Sequence, residues 1–366
     1  MGDMMRRRIG INLSIIGSKQ NSFSYYARNI VPRLTEANDV DEFVIFGGRT
    51  LEWGNSEVKK LSYLTGAGEG LKAQVGRFIW QNWGMKINER SLKLDTWYSP
   101  THHGKIGAGI DQVITVHDLI PLRFPNQNPL QTQYFRNVLP KVLKASRAVI
   151  TVSQATKRDL VNFYNINVEK IKVVHLGHTV NIKEVTSKGV KNFILVPGAG
   201  YPHKNAVSVI KAFAALENDI KNEFRLVITG AGKMQELLST TAAECGVIDR
   251  CDIYGFLSSE EMEAVWEKTA LLLYASLWEG FGIPPLEAMS RGIPCIVSNI
   301  ASLPEVCGEA VVYVDPYKLN EITEAMAIII RKPTMIEQLI NIGYQRVKIF
   351  NWDQAAEGVY NCIRVQ

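Results

Sequence analysis

Long apolar runs are missing from these 366 residues. No stretch approaches the roughly 20 consecutive apolar residues that a membrane-spanning helix needs. Cysteine is scarce: there are five, all after residue 244 and none in a CxxC pair, which excludes a disulfide framework and a zinc-finger set. The opening "MGDMMRRRIG" has three arginines but lacks the apolar stretch of about 7–15 residues that a secretory signal places behind them. The expected compartment is therefore the cytosol. Dense Lys/Arg runs are also absent. With 41 Lys and Arg against 36 Asp and Glu the net charge is only +5, so nucleic acid is not an expected partner. That mild excess suits anionic ligands or peripheral contact with an acidic membrane surface, such as the inner face of a membrane. No short-period repeat and no low-complexity tract occurs, which excludes a solenoid.

Hydrophobic residues at 46% and charged residues at 21% are the balance of a globular chain, and the length suggests two domains. Short apolar, β-rich runs alternate with helical patterns. "RRIGINL", "EFVIFGG", "DTWYSP", "QVITVHD", "RAVITVS" and "KIKVVHLG" read as strands in the first half. "NFILVPG", "FRLVITG", "CDIYGF", "ALLLYASL", "IPCIVSN" and "AVVYVDP" do so in the second. Apolar runs followed by turn residues indicate parallel strands covered by helices on both faces. Between the halves, "HTVNIKEVTSKGVK" is polar and without period. The expected organisation is a first α/β domain over 1–178, a linker over 179–191 and a second α/β domain over 192–345. A C-terminal helix over 346–366 is expected to cross back to the first domain. Open α/β sheets bind ligands outside the carboxyl ends of their strands. Two Rossmann-like, doubly wound domains facing each other by those ends would place the active site in the cleft between them.

One such strand end is followed by "LWEGFGIPPLEAMSRG", residues 277–292, with Glu279 and Glu287 eight positions apart. Pro285 suits a first helical position and Gly292 a helix stop. The amides of Phe281, Gly282 and Ile283 then fall near a helix N-terminus, where anions bind. Gly282 lets a ligand approach the backbone closely. Glu287 is expected near the third helical position, where a carboxylate also answers the helix dipole. After the first strand of the second half comes "LVPGAGYPHKN". Its glycine turn at Gly198 offers amides to a diphosphate, and Lys204 offers a point charge. In the first half, His117 stands directly after a strand, where it is either a packed residue or a catalytic one. Asp118 reads as a turn or cap residue. The D-x-D at Asp39–Asp41 precedes a strand and so lies at its amino end, away from a ligand cleft. No other metal-ligand spacing appears, and neither metal nor cofactor is expected.

The E-x7-E pair within "EGFGIPPLEAMSRGIPCIVSN" resembles the signature of retaining glycosyltransferases of the GT-B fold, family 4. "SLPEVCGEAVVYVDP", "PGAGYPHKN", "YGFLSSEEM", "VHDLIPLRFP" and "TVSQATKRDL" are similar to that family in the same order, over nearly the whole chain. The resemblance implies that Glu287 holds the ribose hydroxyls of a sugar nucleotide. Glu279 would face the donor sugar near the reacting centre, and the amides around Phe281 and Gly282 would bind sugar hydroxyls. It further implies that Lys204 meets the diphosphate and that His117 stands beside the donor sugar. Phe256 and Leu257 would stand near the base, unless Phe256 is an ordinary core residue. His102 and His103 fall on the acceptor side.

Two departures stand out. Many relatives have arginine where this chain has Ala199, and one branch has arginine at His203, so the diphosphate leans on Lys204 alone or on a protonated His203. In the loop after the first strand, glycine-rich in relatives, only Gly17 remains, followed by Ser18, Lys19 and Gln20.

The resemblance thus implies transfer of a hexose from a nucleotide sugar to a saccharide or lipid-linked acceptor in polysaccharide biosynthesis. UDP-glucose is set ahead of GDP-mannose as donor, with no residue that selects it. A nucleotide-sugar-binding protein without transfer activity is the alternative. A dinucleotide oxidoreductase is disfavoured because no G-x-G-x-x-G follows the first strand.

Overall fold

The computed structural model describes residues 6–16, 22–36, 41–47, 57–61, 70–107, 109–179 and 191–364. Two compact units emerge, one from residues 1–177 with 351–366 and the other from 178–350. Both are doubly wound parallel α/β sheets, as the strand runs predict.

The first unit contains β1 (Arg8–Leu13), β2 (Glu42–Gly47), β3 (Glu57–Lys60), β4 (Thr96–Ser99), β5 (Asp111–Val116), β6 (Ala148–Thr151) and β7 (Ile171–Val173). Their order is β3-β2-β1-β4-β5-β6-β7. Ile9, Ile11, Val113 and Ile114 are fully buried because helices cover both faces of the sheet. Gly10 has no room for a side chain, since a Cβ there would lie 2.6 Å from the Trp97 ring. β3 is absent from the strands read in the sequence. Its "EVKK" is a short polar strand at the edge of the sheet, paired among the described residues with β2 alone, and no apolar period marks it. The strand order reverses between β1 and β4, so the loops leaving β1, β4 and β5 surround that switch point.

Helix Trp352–Arg364 packs in this unit against helix Ser22–Glu36. Its last carbonyls, which lack helical partners, accept from arginines: Arg7 Nη1 reaches Arg364 O at 2.9 Å and Arg147 Nη2 reaches Ile363 O at 2.8 Å. Tyr360 donates to Asp41 at 2.8 Å. Asp41 also accepts from the Arg7 amide and pairs with Arg364, so the carboxylate of the D-x-D that the structure describes serves packing. Asp39 lies outside the described residues. The C-terminal segment rejoins the first unit at Asn351 rather than at 346, because helix Pro333–Val347 continues past that point. Most of the expected linker also lies outside the described residues.

The second unit contains β8 (Phe193–Val196), β9 (Arg225–Ile228), β10 (Cys251–Ile253), β11 (Thr269–Tyr274), β12 (Cys295–Ser298) and β13 (Val312–Val314), in the order β10-β9-β8-β11-β12-β13. Ile194, Leu226, Leu273 and Ile296 join Val209, Phe213, Ile322 and Met326 of the covering helices in one buried core. Its switch point lies between β8 and β11, so the loops after these two strands form the default ligand site. Among the described residues no helix is long and apolar enough to cross a membrane.

Candidate active site

At the β8 end the chain turns through Gly198, φ 70°, and at the β9 end through Gly230, φ 67°. A Cβ on Gly230 would lie 3.1 Å from the Gly198 Cα, so the two turns pack backbone to backbone. A Cβ on Gly198 would meet nothing within 4 Å, which leaves its outer side open to a ligand. A 3-10 turn over Pro202–Lys204 ends at Asn205, whose backbone is left-handed at φ 61°. Asn205 Nδ2 reaches Ala275 O at 3.1 Å and Pro316 O at 2.8 Å, and Leu277 N donates to His203 O at 2.7 Å. The β8 loop is thereby laced to the loops after β11 and β13.

This lacing brings Lys204 to Glu279. Lys204 Nζ lies 2.7 Å from Glu279 Oε1 and 3.3 Å from the Tyr274 hydroxyl. The pair is nearly enclosed, with 18% and 9% of the side chains exposed. Burial works to raise the Glu279 pKa, but the Lys204 charge, with hydrogen bonds to Lys204, Ser276 and Tyr274, outweighs it and holds the carboxyl below its usual range. Burial works to lower Lys204, and Glu279 and Tyr274 outweigh it in turn, so the ammonium stays charged. The loop that carries Glu279 is fixed from behind: Ser302 Oγ donates to Glu279 O at 3.1 Å and to Phe281 O at 2.7 Å.

The helix that follows spans Ile283–Ser290, with Gly282 as N-cap at φ 114° and no side-chain cap. A Cβ on Gly282 would lie 2.7 Å from Leu303, so both conformation and space demand glycine. The helix begins two residues before the position expected for its start. Pro284 and Pro285 occupy its second and third positions, where a missing N–H costs little, and the donors left at this helix start are the Gly282 and Ile283 amides. Glu287 is consequently the fifth helical residue rather than the third. No hydrogen bond or ion pair reaches its carboxylate among the described residues. Arg291, the cation whose charge it feels, is held bidentately by Glu263 at 2.6 and 2.7 Å. Burial therefore raises the Glu287 pKa to about 7; Arg291 opposes the shift and Glu263 adds to it. A half-buried carboxylate without donors is one that ligand hydroxyls would satisfy.

His203 is buried beneath Tyr201, rings stacked at 5.6 Å. Burial, aided by Lys204 and opposed by Glu279, lowers its pKa to about 4. It stays neutral at neutral pH, so of the two expected sources of cationic charge here only Lys204 remains. Phe256 is 77% exposed and is no core residue. Leu257 is half-buried beside it. The preceding Gly255 carbonyl accepts from Gly230 N at 2.8 Å, which places this loop next to the β9 turn.

In the first unit, His117 follows β5 and is buried against Tyr26 and Phe23, with ring centroids 4.7 and 5.3 Å away. Its Nε2 lies 2.9 Å from Pro100 O. A carbonyl only accepts, so Nε2 carries the proton and Nδ1 is the acceptor. Burial lowers the His117 pKa to about 4, against the opposing effect of the Pro100 bond. Asp118 accepts from the Ile120 amide at 2.9 Å, the turn role read for it in the sequence. The His102 and His103 rings lie 4.3 Å apart, tilted by 31°, and burial lowers both pKa values, His103 to about 3 with help from Arg77. Together with Arg77, Phe78, Gln81 and Tyr134 they line a cavity of about 240 Å³. Gly17 lies outside the described residues.

Tyr274, Asn205 and Ser302 were missed in the sequence. Tyr274 carried a faint signal, a phenol at the end of an otherwise aliphatic strand. Ser302 carried none.

Tandem doubly wound parallel sheets, the second with an acid–lysine pair and glycine turns at its switch point, constitute a GT-B architecture. Residues 179–346 match the family Glycosyl transferases group 1, and residues 94–181 match Glycosyltransferase Family 4. The O-antigen chain mannosyltransferase RfbU of Salmonella typhimurium is 33% identical over 242 residues, 66% of this chain and 67% of the relative. O-antigen chain mannosyltransferase B of Escherichia coli is 21% identical over 367 residues, 93% and 95% of the two chains. The sucrose-phosphate synthase of Thermosynechococcus elongatus shares the fold, with a TM-score of 0.79 at 14% identity over 98% of each chain. This chain belongs to glycosyltransferase family 4, and it is a glycosyltransferase.

Proposed function

We propose that the chain transfers mannose, with retention, from GDP-mannose to a saccharide or lipid-linked acceptor in the assembly of a bacterial surface polysaccharide. The observation that carries this reading is the Lys204–Glu279 pair, 2.7 Å apart at the switch point beside the open Gly198 turn. Glu287 stands on the next helix, and among the described residues no hydrogen bond or ion pair reaches its carboxylate. UDP-glucose is the donor set ahead in the reading of the sequence, with no residue that selects it. The mannosyltransferase names of the relatives favour mannose, and of the two expected donors GDP-mannose is the one that carries it.

In this reading the diphosphate lies along the Gly198 turn and draws Lys204 toward it, so the leaving group departs against a fixed positive charge and backbone amides. Glu279, relieved of part of its ion pair, accepts from donor-sugar hydroxyls and lies against the charge that develops at the anomeric carbon. Glu287 accepts from the ribose. Neutral His117 offers Nδ1 as an acceptor to a sugar hydroxyl. Lys204 and the amides supply the charge, so turnover is expected to survive chelation of divalent metals. The acceptor is assigned to the cavity of His102, His103 and Tyr134, where ring faces and neutral imidazoles suit a sugar. The proposed setting is the cytoplasmic face of a membrane, in peripheral contact with it.

A thermal-shift panel of GDP-mannose, UDP-glucose, GDP and UDP tests the donor. GDP-mannose should raise the melting temperature of the wild type and leave Glu287→Ala unmoved. A shift with UDP-glucose alone would overturn the mannose assignment. The anomeric configuration of the product, read by NMR coupling constants, tests retention.

A further inference from the structure

Exposed apolar side chains concentrate on one segment of the first unit. Helix Gly70–Ile79 continues through a π-helical turn, Trp80–Gly84, into helix Met85–Ser91. Along it Val75, Ile79, Trp83 and Ile87 are 49%, 51%, 61% and 69% exposed, with Phe78 beside them at 36%. Four-residue steps on an α-helix drift by about 40° each, which would carry Ile87 about a third of a turn away from Val75. The π turn takes up an extra residue and cancels most of that drift. The result is one row of large apolar side chains facing outward, while Trp80, Met85 and Glu89 are buried on the other side.

The charges on this segment have one sign. Arg77, Lys86, Arg90 and Lys93 accompany the row, the last three exposed. The one carboxylate from 75 to 93 is Glu89, and it is buried against Lys105 and the Trp97 indole. A second copy is a poor occupant, since a twofold pairing of this face sets the cations against their own images. An anionic lipid surface answers both features: the apolar row enters the headgroup–acyl boundary, Trp83 suits that interface, and the cations meet lipid phosphates. Arg77, Phe78 and Gln81 of the same segment also line the cavity with His102, His103 and Tyr134, so a chain seated on this row holds that cavity beside the headgroups.

We infer that the segment Val75–Lys93 is a membrane-docking element that seats the chain peripherally on an anionic lipid bilayer. The inference locates the membrane contact of the function proposed above and rests on that reading only for the role of the cavity. The test is flotation of the full chain with vesicles of phosphatidylcholine alone and of phosphatidylcholine with phosphatidylglycerol in a two-to-one mixture. Wild-type chain should float with the anionic vesicles and about tenfold less with the neutral ones. Trp83→Ser with Ile87→Ser should lower the bound fraction about tenfold, and Lys86→Glu with Arg90→Glu should erase the preference for anionic lipid. All four positions are exposed and lie outside the nucleotide site, so melting temperature and nucleotide shift should stay at wild-type values. Failure of the wild type to float, or flotation of the variants equal to wild type, would overturn the inference. So would a vesicle-free dimer, seen by sedimentation equilibrium, that Trp83→Ser with Ile87→Ser dissolves. Flotation without any nucleotide shift would instead sink the proposed function and leave the docking standing.

Discussion

Lys204 and Glu279 are 75 positions apart in sequence and 2.7 Å apart in space, joined where β8 and β11 diverge. Each keeps the other ionised in surroundings that disfavour charge. Lys204→Met should leave a buried carboxylate unpaired and cost about 3–5 kcal/mol of stability. Glu279→Gln on top of it should restore much of the melting temperature without restoring turnover. If the double variant melts as low as the single one, the pair is not the source of the loss. The depressed Glu279 pKa also fixes a sign: its stabilising contribution is present above the ordinary carboxyl range and lost as pH falls through the depressed value. Urea midpoints measured on either side of that range would show it.

Glu287 has the opposite sign. Its pKa is raised from 4.5 to about 7, so the folded chain holds a proton that the unfolded chain has already released. Stability should therefore fall as pH rises between those values, and Glu287→Gln should flatten the fall. A protonated carboxyl accepts ribose hydroxyls poorly. Affinity for the nucleotide should consequently climb as pH rises through about 7 and then level off. Calorimetric titrations across this range, on wild type and Glu287→Gln, would check both slopes.

Asn205 combines a left-handed backbone with two bonds that tie three strand ends together. Asn205→Gly keeps the backbone and loses the bonds; Asn205→Ala loses both. The alanine variant should be the less stable by about 1 kcal/mol, and both should bind nucleotide more weakly than wild type. Equal melting temperatures for the two would show that the backbone conformation carries no strain.

His117, with a pKa lowered to about 4 and its Nε2 proton given to Pro100, contributes no titration to the rate between pH 5 and 8. If His117 serves the transfer as proposed, through its Nδ1 acceptor, His117→Ala should lower kcat about tenfold to a hundredfold. The nucleotide-induced thermal shift should be unchanged. A wild-type rate profile with a break near pH 6.5 that His117→Ala abolishes would contradict the neutral assignment.

The parallel sheets were legible because strands covered on both faces must be continuously apolar, as "ALLLYASL" and "NFILVPG" are. β3 escaped because a polar edge strand has no such pattern. Glu279 and Lys204 were legible as residues of the loops after strands and Glu287 as a residue of the helix that follows, but two of their properties were not. The helix carrying Glu287 starts at Ile283 because Gly282 adopts φ 114° against Leu303, a tertiary constraint that the double proline disguises. The Lys204–Glu279 contact depends on a crossover between distant strands, which residue spacing cannot express. Burial decided the state of His203: a histidine beside a lysine in sequence says nothing about the water excluded from both.

In the proposed function Lys204, the Gly198 turn and Glu287 together hold one sugar nucleotide. A crystal structure with GDP-mannose bound tests it most directly. The diphosphate is expected within hydrogen-bond reach of Lys204 Nζ and the Gly198 turn, with the ribose hydroxyls on the Glu287 carboxylate. A nucleotide bound elsewhere, or one bound here with the Lys204–Glu279 pair intact and Glu287 untouched, would contradict it.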